Sequence, residues 1–235
     1  MLIPITREKF EEVVPLLATG PQYAYYWGKF PDFLKRVLIS VLAVVIILLF
    51  KLLFSGGFSE GLSLSAGIIG GLYWLWGPVY WATIRNSQVR RNKYAGFWRG
   101  RVLDVFVTED LVGKEETVNQ KGELVIVENR ERRVNVEVGD ETGFTTLLQA
   151  PLRRLHKGIN PGQLAEMLVM SNQSDLGRIA QTSDIHIPRL NLWVSDYPYL
   201  RRDEFIQVSA QLRGRPREKD SRAERIVNTK RRRRG

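Results

Sequence analysis

The hydrophobic pattern divides the chain into a front part with long apolar runs and a back part with short alternating ones. "VLISVLAVVIILLFKLLF", residues 37–54, is apolar on every side, with Lys51 as its one charge. Residues 62–84 carry no charge over 23 positions, and the run ends on Arg85. A helix of that length rises about 35 Å, enough to cross a hydrocarbon core of about 30 Å. Helices apolar all round are buried either in a large protein or in lipid. A chain of 235 residues has no core that could surround two of them, so lipid is the expected environment. "SGGFSEG", residues 55–61, is just long enough to reverse the chain, so the pattern predicts an antiparallel transmembrane hairpin over residues 37–84. More than 30 residues precede the first run and no small-residue cleavage site follows it, which predicts a retained span rather than a cleaved signal.

On either side of the hairpin the period changes. "TREKFEEVVPLL" sets Phe10, Val13, Val14 and Leu17 at helical spacing behind Thr6 as N-cap, with Pro15 shortening the helix. With "YAYYWGKF" it predicts an amphipathic segment over residues 1–36 lying on the membrane surface; docking on a soluble domain is the alternative. Residues 85–95 read as a basic juxtamembrane linker. Residues 96–212 read as a small cytoplasmic α+β domain, an antiparallel sheet or small barrel plus a helix. Within it "ELVIVEN" and "RRVNVEV" suggest a hairpin turning around residues 129–131. "NPGQLAEMLVMSN" predicts a helix, with Asn160 at the N-cap, Pro161 at the first helical position, and Leu164, Met167 and Leu168 on one face.

Charge changes the picture once it is located. A net charge of +10 and a pI near 10.0 suggest a nucleic-acid binder. Residues 213–235, however, hold eleven Lys or Arg against three acids, and the remainder is close to neutral. Too few large apolar residues occur there to support a fold, so a disordered tail is expected. Lys230, Arg231, Arg232, Arg233 and Arg234 would bind anionic lipid, at about 1 kcal/mol per basic residue near the surface, or an acidic protein. RNA is less favoured, because the tail lacks stacking aromatics. Lys29, Lys35 and Arg36 precede the hairpin and Arg85, Arg90, Arg91 and Lys93 follow it, while the loop between holds only Glu60. That bias predicts both termini on the cytoplasmic or stromal side.

Within the hairpin, Ser63, Gly67 and Gly71 form a stripe of small residues that would let another helix approach, either the chain's own first span or a partner's. Lys51 reads as an anchor reaching the headgroups. Tyr73, Trp74, Trp76, Tyr80 and Trp81 resemble an interfacial belt, but they cover more than two turns where one is usual. The excess would suit a protein surface or an associated pigment.

The chain carries few residues suited to catalysis or metal binding. With no cysteine and only His156 and His186, disulfides, thiolate nucleophiles and histidine-rich metal centres are excluded. No phosphate-binding glycine motif and no nucleophile elbow occurs. His186 in "DIHIP" is expected to point outward from a strand, and Asp196, Asp203 and Glu204 beside Arg201 and Arg202 to form a solvated turn. No cofactor, metal or enzymatic activity is expected. Two spans also lack the repeats and intramembrane charges of a transporter.

"MLIPITREKFEEVVPLLATGPQYAYYWGKF", the two apolar runs and "NPGQLAEMLVMSNQSDLGRIA" together resemble a family of small two-span membrane proteins of cyanobacteria and chloroplasts, often labelled "phosphate ABC transporter permease". The resemblance covers nearly the whole chain except the tail. It implies a thylakoid or plasma membrane location and, by association, a part in assembling photosynthetic membrane complexes. No permease core or coupling loop supports the label. The expected function is a non-enzymatic integral-membrane adaptor or assembly factor whose partner is a membrane protein complex. An accessory transporter subunit and an insertion factor contacting ribosomal RNA through its tail are the alternatives.

Overall fold

In the computed structural model, residues 1–28, 30–53, 60–118 and 124–214 are described. The chain begins with a short strand, β1 (Leu2–Ile5), then α1 (Arg7–Val13), α2 (Gly20–Trp27) and α3 (Phe30–Leu53). There follow α4 (Glu60–Gly71), α5 (Tyr73–Arg90), β2 (Tyr94–Val118), β3 (Leu124–Gly139), β4 (Thr145–Pro151) and β5 (Leu164–Ser171). The last elements are β6 (Gln181–Thr182), β7 (Ile185–Ile187), β8 (Leu192–Val194) and α6 (Arg202–Gly214).

The strands make one antiparallel sheet in the order β4-β3-β2-β5-β7-β8, with β1 also on β2 and β6 also on β5. Alternation along β2 drives this: its 25 residues are too long for one neighbour and serve three. Its first part, Tyr94–Arg101, lies beside β5 and, from Ala95 to Trp98, beside β1; from Arg101 to Val118 it pairs with β3. Gly100 permits the crowding at the crossover, since a Cβ there would lie 2.3 Å from the Trp98 ring and 2.4 Å from the Gly139 carbonyl. Val102, Val134, Val136, Val138, Met167, Val169, Ile185 and Val194 bury the sheet's inner face around Trp98.

Two readings of this region are corrected. The predicted helix after Asn160 is strand β5. Ala165 to Ser171 are buried on both faces, so the apolar run has no period, and a run without period does not separate strand from helix. Gly162 takes φ +85°, and that left-handed turn sends the chain straight into the strand. The expected turn at residues 129–131 lies within continuous β3, paired with Asp110 to Gly113 of β2. The reversal between β2 and β3 falls at residues 119–123, outside the described residues.

The N-terminal helix forms as expected: the Thr6 hydroxyl accepts from the Lys9 N–H, and the helix ends before Pro15. It docks rather than floats. Phe10, Val13 and Val14 are buried, and Arg7 donates to the Asn92 and Arg90 carbonyls at 2.7 and 2.8 Å. β1 belongs to the sheet, so residues 1–36 are not one interfacial segment. Nor are residues 85–95 a linker: α5 runs to Arg90 and β2 starts at Tyr94. Arg90 pairs with Glu11 and donates to the Val14 carbonyl at 3.2 Å.

α3 has 24 residues and is long and apolar enough by itself to cross a membrane, with almost none of its apolar window buried. The second expected span is not one straight helix. α4 and α5 meet at Leu72 with a bend of 73°. Two glycines in succession, Gly70 and Gly71, weaken the helix there. Leu72 then starts a new helix, accepting from both Leu75 and Trp76 at 2.9 and 3.2 Å. The Trp74 N–H bonds instead to the buried Ser40 hydroxyl of α3 at 3.0 Å, so α3 holds the break in place. Residues 54–59 of the expected loop lie outside the described residues.

α3 and α4 approach closely at the level of Gly70 and Gly71. A Cβ on Gly70 would lie 3.0 Å from the Ala43 Cβ, and one on Gly71 3.2 Å from Val44. Gly67 faces open space, and with Ser63 it lines a gap of about 450 Å³ between the helices beside Lys51 and Glu60. Of the glycines in this stretch, Gly70 and Gly71 approach α3 closely, and Gly67 of the expected stripe does not.

The chain divides into Met1–Leu200 and a second unit from Arg201. In that second unit α6 begins with Asp203 and Glu204 and ends with Arg213, charges that suit the helix dipole. Residues 215–235, including Lys230 and Arg231–Arg234, lie outside the described residues.

Candidate functional site

The richest cluster of polar side chains lies where α2 and α5 meet the loop after β8. Gln22 is carried on α2 just after the N-cap Thr19, and its carbonyl oxygen accepts the Thr19 N–H at 3.0 Å. Its amide also exchanges two hydrogen bonds with Asn86 of α5, at 3.0 and 2.8 Å. The same Gln22 NH2 donates to the Pro198 carbonyl at 2.9 Å and the Tyr199 carbonyl at 3.3 Å. Both amide side chains are completely buried, so one pair of residues ties a helix before α3, a helix after α4 and a sheet loop together.

Beside this clasp, Arg85 stacks 4.1 Å from the Tyr197 ring, 5.2 Å from Tyr199 and 5.8 Å from Tyr25. Its guanidinium donates to the Tyr199 hydroxyl at 3.2 and 3.0 Å. A cation over aromatic faces is stabilised most where water is excluded. Tyr197 is buried, and burial pushes its phenol well above the ordinary range, so it stays neutral and donates to Asn86 at 3.4 Å. An open cleft of about 350 Å³ adjoins, lined by Arg85, Gln181, Asp184, Asp196, Tyr197 and Tyr199. Asp184 accepts the Tyr199 N–H at 2.9 Å, and Asp196 pairs with Arg133 at 2.7 Å. Arg85, Tyr197, Tyr199 and Asp196 each take part in contacts that hold structure, as does one oxygen of Asp184. The arrangement can fix helices to a sheet and offer a polar cleft; it presents no nucleophile poised on a base.

A second ionisable cluster lies in the sheet. Glu166 of β5 is fully buried, accepts from Arg99 at 2.9 Å and lies 3.7 Å from His186 Nδ1. His186, expected to point outward, is buried and stacked on Trp193 with centroids 4.5 Å apart. The cause is cross-strand register: His186 opposes Glu166 and Trp193. Among the described residues no group of three metal-ligating side chains converges.

The expected aromatic belt is split. Trp74 faces inward between Trp27 and Phe33, at 6.2 and 5.9 Å. Tyr73, Trp76, Tyr80 and Trp81 follow one another edge to face along α5. Lys51 stands exposed in the last turn of α3. Gln22, Asn86 and the tyrosines were missed by sequence reasoning. Their signal, a buried amide on each of two helices 64 positions apart, appears only once the helices are packed.

The profile of a family of unknown function, DUF8619, matches residues 3–220. The chain belongs to this family. Because the match runs from β1 through α6, the apolar helices and the sheet are one family unit and not a fusion of separate modules. No curated protein and no solved structure matches the chain.

Proposed function

We propose that the protein is a non-enzymatic membrane-anchored adaptor: α3 and α4 insert in a bilayer, and the sheet holds a soluble segment of a membrane protein complex. The observation that carries it is the apolar surface of α3 and α4, on which Leu38, Leu42, Ile46, Leu49, Leu64 and Ile68 are each more than half exposed. So continuous an apolar surface on a soluble protein would be a site of association.

Two further features support the reading. β1 precedes the helices and β2 follows them, and Leu2 pairs with Trp98. Strands do not hydrogen-bond through a bilayer, so both ends of the inserted segment lie on one side with the sheet. Positive charges flanking the segment make that side cytoplasmic or stromal. The second feature is a free arm. Outward from Asp110 and Glu131, among the described residues, β2 and β3 pair as strands only with each other, over about 30 Å, with Leu111, Leu124 and Ile126 exposed. A two-stranded ribbon is marginally stable alone, so a partner that adds contacts to it would order it. The resemblance to two-span proteins of photosynthetic membranes points to complexes of that kind as the partner.

The experiment is carbonate extraction of native membranes followed by native gels in mild detergent. The chain should resist extraction and migrate in a larger complex. The triple variant Leu111→Ser, Leu124→Ser, Ile126→Ser should stay in the membrane but leave the complex. Release by carbonate, or migration solely as monomer or homodimer, would overturn the reading.

A further inference from the structure

We infer that α5 does not continue into the bilayer but lies along its surface, as an aromatic float on the same side as the sheet. The inference rests on the insertion of α3 and α4 proposed above and adds where the chain leaves the membrane.

The break at Leu72 turns α5 by 73° from α4. If the α3–α4 pair stands near the membrane normal, α5 runs close to the membrane plane. α4 has 12 residues, which rise about 18 Å, so with the break at the boundary α4 reaches only partway into a hydrocarbon core of about 30 Å, as a re-entrant segment does. The Ser40–Trp74 hydrogen bond places the break beside Ser40, about one turn beyond Lys35 and Arg36 of α3. Arg36 donates to the carbonyls of Tyr26 and Trp27, and Lys35 is exposed, so this level already holds cations and aromatic rings. It has the composition of a headgroup boundary.

α5 itself is part buried and part exposed, with the two kinds of position interspersed around it. Gly77, Pro78, Ala82 and Asn86 are buried. Leu72, Leu75, Val79, Tyr80 and Trp81 are exposed, at 37 to 50%. These exposed side chains are apolar or aromatic, and Arg91 and Lys93 stand exposed just past the helix. Apolar side chains, indole and phenol rings, then cations: this sequence fits the boundary between acyl chains and phosphates. The geometry also explains why the aromatics cover more than two turns. A helix crossing the boundary leaves about one turn in it, whereas a helix lying along it keeps every turn there.

The chain has no cysteine, so single cysteines can be labelled without removing others. Spin labels go on Leu72→Cys, Leu75→Cys and Val79→Cys of α5, and on Leu38→Cys, Leu42→Cys and Ile46→Cys of α3. Depth is read from collision with oxygen and a water-soluble nickel chelate, in vesicles of phosphatidylcholine and phosphatidylglycerol. Along α3, depth should change by about 12 Å from position 38 to 46; along α5, by about 3 Å from 72 to 79. A change of about 10 Å along α5, with α3 deep, would overturn this inference alone. Water accessibility at all α3 positions would overturn the insertion beneath it. Unsubstituted protein gives a second readout, since Trp27, Trp74, Trp76 and Trp81 cluster here while Trp98 and Trp193 sit in the sheet. Lipids brominated near the headgroup should quench more fluorescence than lipids brominated near the chain ends; the reverse order would also overturn it.

Discussion

Replacing Asn86 with alanine tests whether the buried clasp joins helices to sheet. Asn86→Ala removes two hydrogen bonds to Gln22, of 3.0 and 2.8 Å, and the weaker acceptor of Tyr197 at 3.4 Å. Each neutral hydrogen bond contributes about 1 kcal/mol, and a buried partner left unpaired costs about 1–3 kcal/mol. Gln22 keeps its bonds to Thr19, Pro198 and Tyr199, so the loss should be about 2–3 kcal/mol. Gln22→Ala gives up those bonds as well and should cost about 3–4 kcal/mol. In the double variant neither amide is stranded, so the combined loss should fall short of the sum by about 1–2 kcal/mol. At about 2–4 °C per kcal/mol for a unit of this size, Asn86→Ala should lower Tm by roughly 5–10 °C. Thermal unfolding in mild detergent, followed by near-ultraviolet circular dichroism, measures this. Losses that add within about 0.5 kcal/mol would show that the two amides do not act as a unit, and the clasp would be refuted.

Two further outcomes follow from packing and charge. Gly70→Leu should destabilise by about 1–3 kcal/mol, because its Cβ would meet Ala43 at 3.0 Å, whereas Gly67→Leu should be neutral or stabilising in its open gap; the opposite order in detergent melts would restore the Gly67 stripe. Burial opposes the charge on Asp140, but hydrogen bonds from Thr142 and the Met1 ammonium outweigh it and hold the carboxyl near pH 2, below its ordinary 3.8. The contribution of about 2 kcal/mol is therefore whole above pH 4 and lost between about pH 4 and 2. Asp140→Asn should flatten that part of the stability profile, and an unchanged acid profile would refute the assignment.

The sequence carried much of this fold and little of the site. Thr6, Phe10 and Pro15 specify α1 because capping and proline act locally. The apolar part of α3 is legible because eighteen nearly uncharged positions permit few other readings, but the helix starts at Phe30, seven residues before that run. The break at Leu72 is harder to read, since Gly70–Gly71 reads equally as a helix-packing surface, and only the hydrogen bond from Trp74 to Ser40 decides the matter. β5 misled for a related reason. A strand covered on both faces loses its alternation, while Asn160 and Pro161 imitate a helix start. Glu166 and His186, paired across strands, are invisible until register is known.

The pairing of β1 with β2 also sets a timetable. Leu2 meets Trp98 only after the ribosome has added 96 more residues, about 5–20 s at ordinary elongation rates. Within that interval α3 and α4 are completed while the sheet is still open. β5, the other neighbour of Tyr94–Arg101, arrives later still. On the insertion proposed above, membrane delivery precedes sheet closure, and closure of β1 onto β2 acts as a latch set after insertion. A chain whose helices were delayed would offer the sheet its own apolar helices as competitors for burial. On that proposal the order of synthesis is part of the folding mechanism.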